Sequence, residues 1–149
     1  MRITELVKVD SKTLAKLVDL SAKDGSRSVS NNWIKQLHKR GERFFVAEEK
    51  GVRLGFVCFD PFFKPDKNGI ELDVLSVLKP RQKSGIGSAL LDRVKKEAVA
   101  LSKHKIYLLT SQKNANAIRF YLRQGFHPAG IILDRYGKGE HSLYFCLEV

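Results

Sequence analysis

Cysteine is scarce in this chain. Only Cys58 and Cys146 occur in 149 residues, each inside an apolar, strand-like run and without a CxxC or Cys/His neighbour. That spacing argues against a metal site and leaves two buried free thiols in a reducing cytoplasm as the expectation. Proline is limited to four residues, and no internal repeat, low-complexity tract or Pro/Ser-rich linker interrupts the sequence, so one domain over residues 1–149 is expected. No apolar run approaches the ~20 residues that a membrane helix needs. The N-terminal MRITELVKVD alternates apolar with charged residues, unlike a signal peptide, so no membrane contact and a cytoplasmic location are expected. Acidic residues are also few: 16 Asp and Glu stand against 27 Lys and Arg, a formal net charge of +11. Such an excess attracts polyanions, whether nucleic acid, acidic protein segments or phosphate-bearing cofactors. It gives a partner's sign and not its identity, and a solvated lysine-rich surface has the same composition.

What is present is a globular balance, 43% hydrophobic against 29% charged residues, enough to bury a core. Alternation over residues 2–9 predicts a strand. Asp10 or Ser11 is placed to cap a helix carrying Leu14, Leu17, Val18 and Leu20. AKDGSRSVS reads as turn, and NNWIKQLHKRG as a second short helix closed by Gly41. RFFVAEE and RLGFVCFD, joined at Lys50-Gly51, read as a hairpin. After the loop DPFFKPDKNG, IELDVLSVL is a third strand of this half. Ile86 to Ser102 is an amphipathic helix with Leu90, Leu91, Val94, Ala98 and Leu101 on one face. KIYLLT is a strand. Asn114 to Gln124 is a helix with Ala117, Ile118, Tyr121 and Leu122 on its stripe and Gly125 behind it. AGIILDRY and HSLYFCLEV close the chain as strands. The order βααβββαβαββ predicts an α/β layered fold with a mixed sheet.

The turn KPRQKSGIG carries the strongest local signal. Between a strand and a helix it supplies several backbone N–H groups without helical partners, and the helix dipole favours negative charge there. Gly85 and Gly87 bare the backbone, Lys79, Arg81 and Lys83 add charge, and Ser84 and Ser88 offer hydroxyls. The turn looks built to hold a diphosphate. It is not a P-loop, which needs GxxxxGK[ST], nor a dinucleotide fingerprint, which needs a third glycine. A lone GxG by itself also fits a purely structural turn.

Gln82-Lys83-Ser84-Gly85-Ile86-Gly87 resembles the (Gln/Arg)-x-x-Gly-x-(Gly/Ala) acetyl-CoA motif of the GNAT N-acetyltransferase superfamily. NANAIRFYLRQGF, Asn114 to Phe126, resembles that family's Asn-x-x-Ala-x-x-x-Tyr-x-x-x-Gly-Phe block. The likeness covers residues 43–147 and implies a GNAT-like mixed, mostly antiparallel sheet flanked by helices. It also implies acetyl-CoA as cofactor, its pyrophosphate on the N–H groups of Gln82, Lys83, Ser84, Gly85, Ile86, Gly87 and Ser88. The pantetheine arm would pair with the strand at Leu75, Ser76 and Val77, with Asn114 and Ala117 beside it. The reaction implied is acetyl transfer to an amine of a protein or small molecule by direct attack on the thioester.

By the same resemblance Tyr121 is the general acid for the departing thiolate, although its place on the helix stripe is equally that of a core residue. The base is open between Glu71 and Asp73. Two apart on one strand, they are expected to share a face with Leu75 and Val77; the same two residues read equally as solubilising charges at a wet strand end. RimI-like acetyltransferases, which the chain distantly resembles, place a Glu base five residues before the motif Asn. Here that position is Leu109. No histidine has a second ligand at metal spacing, and His141 is a candidate neighbour of the acceptor. Phe62 and Phe63 are candidates for an acceptor wall, or else plug the edge of the core. Trp33 with Lys35, Lys39 and Arg40 forms a basic, aromatic patch compatible with nucleic acid or with a solvated helix face. The alternative function is a non-catalytic module that binds CoA, RNA or a protein on the same fold.

Overall fold

A computed structural model of the protein describes residues 1–21 and 31–149, leaving the turn assigned to AKDGSRSVS and the side chain of Leu20 outside the described residues. The chain runs β1 (Arg2–Glu5), α1 (Ser11–Ser21), α2 (Asn31–Lys39), β2 (Arg43–Glu49), β3 (Val52–Asp60), β4 (Gly69–Val77), α3 (Ile86–Ala100), β5 (Lys105–Ser111), α4 (Ala115–Arg123), β6 (His127–Ile132) and β7 (Ser142–Glu148). This is the expected βααβββαβαββ order. A short 3-10 turn at Lys79–Arg81 links β4 to the turn before α3.

The strands form one sheet in the order β1-β2-β3-β4-β5-β7-β6. Every neighbouring pair is antiparallel except β4 with β5. Helices cover both faces. On one face α3 and α4 pack Leu90, Leu91, Val94, Ala98 and Tyr121 against Phe45, Val57, Phe59, Leu72, Ile106 and Phe145. On the other, α1 and α2 bury Leu14, Leu17, Ile34 and Leu37 against Phe44, Val46, Phe56, Cys58 and Val74. Because β2 and β3 are covered on both sides, they read as continuous apolar runs rather than alternating ones. Both cysteines are buried and free.

The local signals hold where a backbone requirement sets them. Asp10 caps α1, its Oδ1 accepting from the Thr13 N–H at 3.2 Å. Lys50 and Gly51, both at positive φ, make the two-residue hairpin turn. Gly125 at φ 91° follows α4. Element ends fall differently. β1 stops at Glu5, short of the expected residue 9, and Val7 beyond it is 94% exposed. α3 ends two residues before the expected Ser102, which turns left-handed at φ 56°, and this leaves Leu101 on the surface. Leu122 is also exposed, at the margin of the α4 stripe.

Candidate functional site

A bulge in β4 builds the site. Cys58 pairs with Val74 and Phe59 with Leu72, so Asp73 is an extra residue with no partner of its own on β3. The insertion flips the alternation. Ile70 and Leu72 face α3, and beyond the bulge so do Leu75 and Val77, whereas Val74 faces α1 and α2. Glu71 and Asp73 therefore do not share a face with Leu75 and Val77, as strict alternation predicted. They lie on the α1/α2 side, while Leu75 and Val77 lie on the side of α3 and α4.

The same region is where the sheet opens. Parallel pairing of β4 with β5 runs from Gly69↔Lys105 to Leu72↔Leu108 and stops. β4 continues to Val77 and β5 to Ser111, the latter pairing only with β7. Residues Asp73 to Val77 thus present a backbone edge to a gap rather than to a strand. Gly55 lets the far side of β4 come close: a Cβ there would lie 2.5 Å from the Ser76 carbonyl oxygen. Ser76 itself is buried.

The turn that leaves β4 directly follows this open edge in the chain. Arg81 N–H donates to Leu78 O, Gln82 N–H to Lys79 O, and Ala89 N–H to Gly85 O. Between them the N–H groups of Lys83, Ser84, Gly85, Ile86, Gly87 and Ser88 have no backbone carbonyl partner among the described residues. Two residues at positive φ, Lys83 at 62° and Gly85 at 86°, shape the backbone of this turn just before α3. Gln82 is not turned outward: its Nε2 donates to Val77 O at 3.0 Å and ties the turn to the strand. Ser84 Oγ donates to Arg81 O and is likewise used within the turn. Arg81 pairs with Glu49 at 2.9 Å, so the charge at the turn comes from Lys79 and Lys83, both exposed.

The second block docks alongside. Asn114 caps α4, its Oδ1 accepting from Ala117 N–H at 3.2 Å, and Ala117 packs against the core. Tyr121 is 8% exposed and wedged between the rings of Phe120 and Phe126. Burial pushes its phenol well above the ordinary tyrosine value, so it keeps its proton at neutral pH. No hydrogen-bond partner for that hydroxyl is found among the described residues.

On the opposite face, Glu71 stands in register with Tyr107. Tyr107 stacks on Tyr144 at 5.5 Å and meets Phe63 at 5.2 Å, while its hydroxyl donates to Asp66 at 2.7 Å. This makes an aromatic floor with Glu71 at its end. Burial first, then the charges of Asp60 and Glu42, raise the proton affinity of Glu71 against the pull of Arg135 and Arg40. Burial, with the charge of Glu71 behind it, pushes Tyr144 up to about 12. Phe63 belongs to this floor; Phe62 is 73% exposed above it. His141 is spent on the closing hairpin, its Nδ1 accepting from the Asp134 N–H at 2.9 Å. Arg40 is drawn out of the basic patch by Glu42 at 2.6 Å. Glu42, Tyr107 and Tyr144 had no local signal: nothing in RGERFF marks its glutamate as buried, and the two tyrosines meet only through the β5–β7 pairing.

The site therefore has two sides: an N–H-lined turn and a protonated phenol on the α3/α4 face, and carboxyls with an aromatic floor on the α1/α2 face. The unpaired stretch of β4 beyond Leu72 lies between them in the chain. A family model described as the acetyltransferase (GNAT) family matches residues 13–126. Over 106 residues the chain is 32% identical to a Mycobacterium tuberculosis protein named probable N-acetyltransferase Rv2775, a match covering 68% of this chain and 56% of the relative. The chain spans about half the length of the curated relatives it matches. Among solved structures the fold resembles ribosomal-protein-S18-alanine N-acetyltransferase from Escherichia coli, with a TM-score of 0.83 at 20% identity over 99% of this chain and 93% of the other. It also resembles an aminoglycoside 6'-N-acetyltransferase complexed with coenzyme A, with a TM-score of 0.82 at 19% identity over 99% and 97%.

Proposed function

Because the chain belongs to the acetyltransferase (GNAT) family, we propose that it is an acetyl-CoA-dependent N-acetyltransferase acting on an amine. The observation that carries this reading is the run of N–H groups from Lys83 to Ser88 without backbone partners, which directly follows the open edge of β4 in the chain. An anion with several oxygens fits such a cradle at a helix N-terminus, and Lys79 and Lys83 add to its field. The β4 edge from Asp73 to Val77, with Leu75, Ser76 and Val77, would hold the pantetheine arm by strand-like pairing. Ala117 borders it, and the Asn114 Nδ2 is the donor left after capping. Bound there, acetyl-CoA supplies an activated acetyl thioester.

The chain's own residues handle the protons. Glu71, at the end of the aromatic floor, takes a proton from the acceptor's ammonium: the N–H bond breaks and an O–H bond forms. Its raised proton affinity brings it closer to the amine's and to working pH. Tyr121, on the far side of the gap, holds a proton for the departing sulfur, and the second proton that the nitrogen sheds on becoming an amide restores the phenol. Its buried phenol has no competing partner among the described residues and stays neutral near pH 7. Phe62, Phe63, Tyr107 and Tyr144 exclude water on the acceptor side. The acceptor is an amine of a protein or a small molecule, as with the two solved neighbours, one named for a ribosomal-protein alanine and the other for an aminoglycoside.

The test is calorimetric titration with acetyl-CoA at moderate salt. Micromolar binding that weakens at least tenfold in Gly85→Glu supports the reading, because a carboxylate at that turn repels the pyrophosphate. No binding by the native chain, with salt-sensitive binding of an RNA duplex instead, would make the protein a docking module on the same fold.

A further inference from the structure

Behind Glu71 the same face of the sheet holds two carboxyls, Glu42 and Asp73, near enough to act on each other. Glu42, between α2 and β2, has a fully buried side chain. Donors reach both of its oxygens: Arg40 Nη2 lies 2.6 Å from Oε1, and Cys58 Sγ lies 3.0 Å from Oε2. Asp73 has the opposite circumstance. The β4 bulge sets its carboxyl against that of Glu42, and its Oδ2 is sealed from solvent without a hydrogen-bond partner among the described residues.

Two ionised carboxylates cannot sit this way. An ionised carboxylate only accepts hydrogen bonds, a buried charged oxygen without a donor is costly, and adjacent like charges retain a proton between them. The donors decide where it rests. Arg40 and Cys58 donate to Glu42 and favour the charge there; no such donor reaches Asp73 Oδ2 among the described residues, which favours the proton on Asp73. Burial first and the charge of Glu42 second push Asp73 up to about 8, with Glu71 adding and Arg40 opposing.

We propose that Glu42 and Asp73 form one acid pair holding a single proton, and that Glu42 is thereby a positioning residue for proton transfer at Glu71. The groups facing this cluster are Arg40 from the end of α2, Cys58 and Asp60 from β3, Glu71 from β4, and Arg135 from the turn between β6 and β7. With one proton the pair carries one negative charge, fixed at Glu42. Burial raises the proton affinity of Glu71 first; the charge of Asp60 and then that of Glu42 raise it further. During transfer the proton leaves the ammonium, bonds to Glu71 and passes to solvent, while the proton on Asp73 stays in place. The part played by Glu71 rests on the acetyltransferase reading; the existence of the pair does not.

Two measurements separate these claims. Carbon-13 NMR titration of the side-chain carboxyls in the full chain requires no activity. Asp73 is expected to titrate near neutral or alkaline pH, and Glu42→Gln to lower its midpoint by about one unit or more. An Asp73 midpoint in the ordinary carboxylate range, or one unmoved by Glu42→Gln, would overturn the pair. The second readout is the pH profile of kcat/KM with an amine acceptor. Its acidic limb is expected to move to lower pH in Glu42→Gln and to return toward the native position in Glu42→Asp; an unmoved limb overturns the positioning role. Should Glu42→Gln not fold, Asp73→Asn, which mimics the protonated acid, is expected to leave the midpoint of that limb in place, and a shift would count against the proposal. Failure to acetylate any amine would remove the enzymatic reading, and with it the positioning role, while the NMR titration still decides whether the pair exists.

Discussion

The side-chain amide of Gln124 donates to the hydroxyl of Ser88 at 3.0 Å, joining the C-terminal end of α4 to the first turn of α3. The two elements that carry the two sequence motifs are thereby fastened to each other at the edge of the N–H-lined turn. A half-buried hydrogen bond of this kind contributes about 1 kcal/mol. Gln124→Ala should lower Tm by about 2–4 °C and weaken acetyl-CoA binding severalfold, measured by thermal melts and calorimetry. A loss of stability without any change in affinity would show that the link is structural only.

Tyr121→Phe should reduce kcat by about 10²–10⁴-fold, the usual worth of a general acid, with acetyl-CoA affinity within about twofold. Stability should hold or rise slightly, because a buried hydroxyl with no partner among the described residues is lost. Paired turnover and melting measurements test this. Unchanged turnover would reduce Tyr121 to a core residue.

Gly55→Ala places a methyl 2.5 Å from Ser76 O and 3.2 Å from Val77 Cα, both backbone atoms in strand register. Neither can give way without moving the end of β4. A stability loss of about 1–3 kcal/mol is expected, with weaker acetyl-CoA binding as the edge beside the gap shifts. Denaturant unfolding and calorimetry read the two effects.

The two glycines of the turn should respond differently to alanine. Gly85 has open space for a Cβ but sits at φ 86°, so Gly85→Ala is strained by backbone conformation alone, by about 1 kcal/mol. At Gly87 the added Cβ would lie 3.5 Å from the Phe120 ring, an ordinary contact. Gly87→Ala should therefore be neutral in stability. Equal losses at both positions would contradict the stated cause.

Asp73 links stability to pH. Its proton affinity is raised in the folded chain to about 8 from an ordinary value of 3.8. Below the ordinary value both states are protonated and the group is neutral in effect. As pH rises toward the folded value, the unfolded chain releases a proton that the folded chain keeps, and stability is lost up to about pH 8. Asp73→Asn should remove this loss. Its Tm should exceed that of the native chain by several degrees at pH 8 and by little at pH 4, as melts across that range will show.

Much of this protein is legible along the chain because local chemistry decides it. The Lys50-Gly51 turn, the caps at Asp10 and Asn114, the glycine after α4 and the order of elements follow from backbone requirements of a few neighbouring residues. So does the N–H-lined turn before α3, whose glycines and charges are consecutive. The ends of β1 and α3 were less legible, since periodicity marks neither the exposure of Val7 beyond β1 nor the left-handed Ser102 after α3.

What the sequence could not carry is parity and proximity. IELDVLSV reads as one alternating strand, and alternation puts Glu71, Asp73, Leu75 and Val77 together. The unpaired residue opposite Cys58 and Phe59 reverses that, and only pairing with β3 creates it. Glu42 is distant from Asp73 along the chain, in a segment where an acid among arginines looks solvated; it is buried because α2 and β3 close over it. The sequence by itself determined the elements, their order and the N–H-lined turn before α3, since each depends on residues adjacent in the chain. The tertiary structure decided which carboxyls face one another and which face of the sheet they occupy, because register and burial are set by strands and helices far apart in sequence.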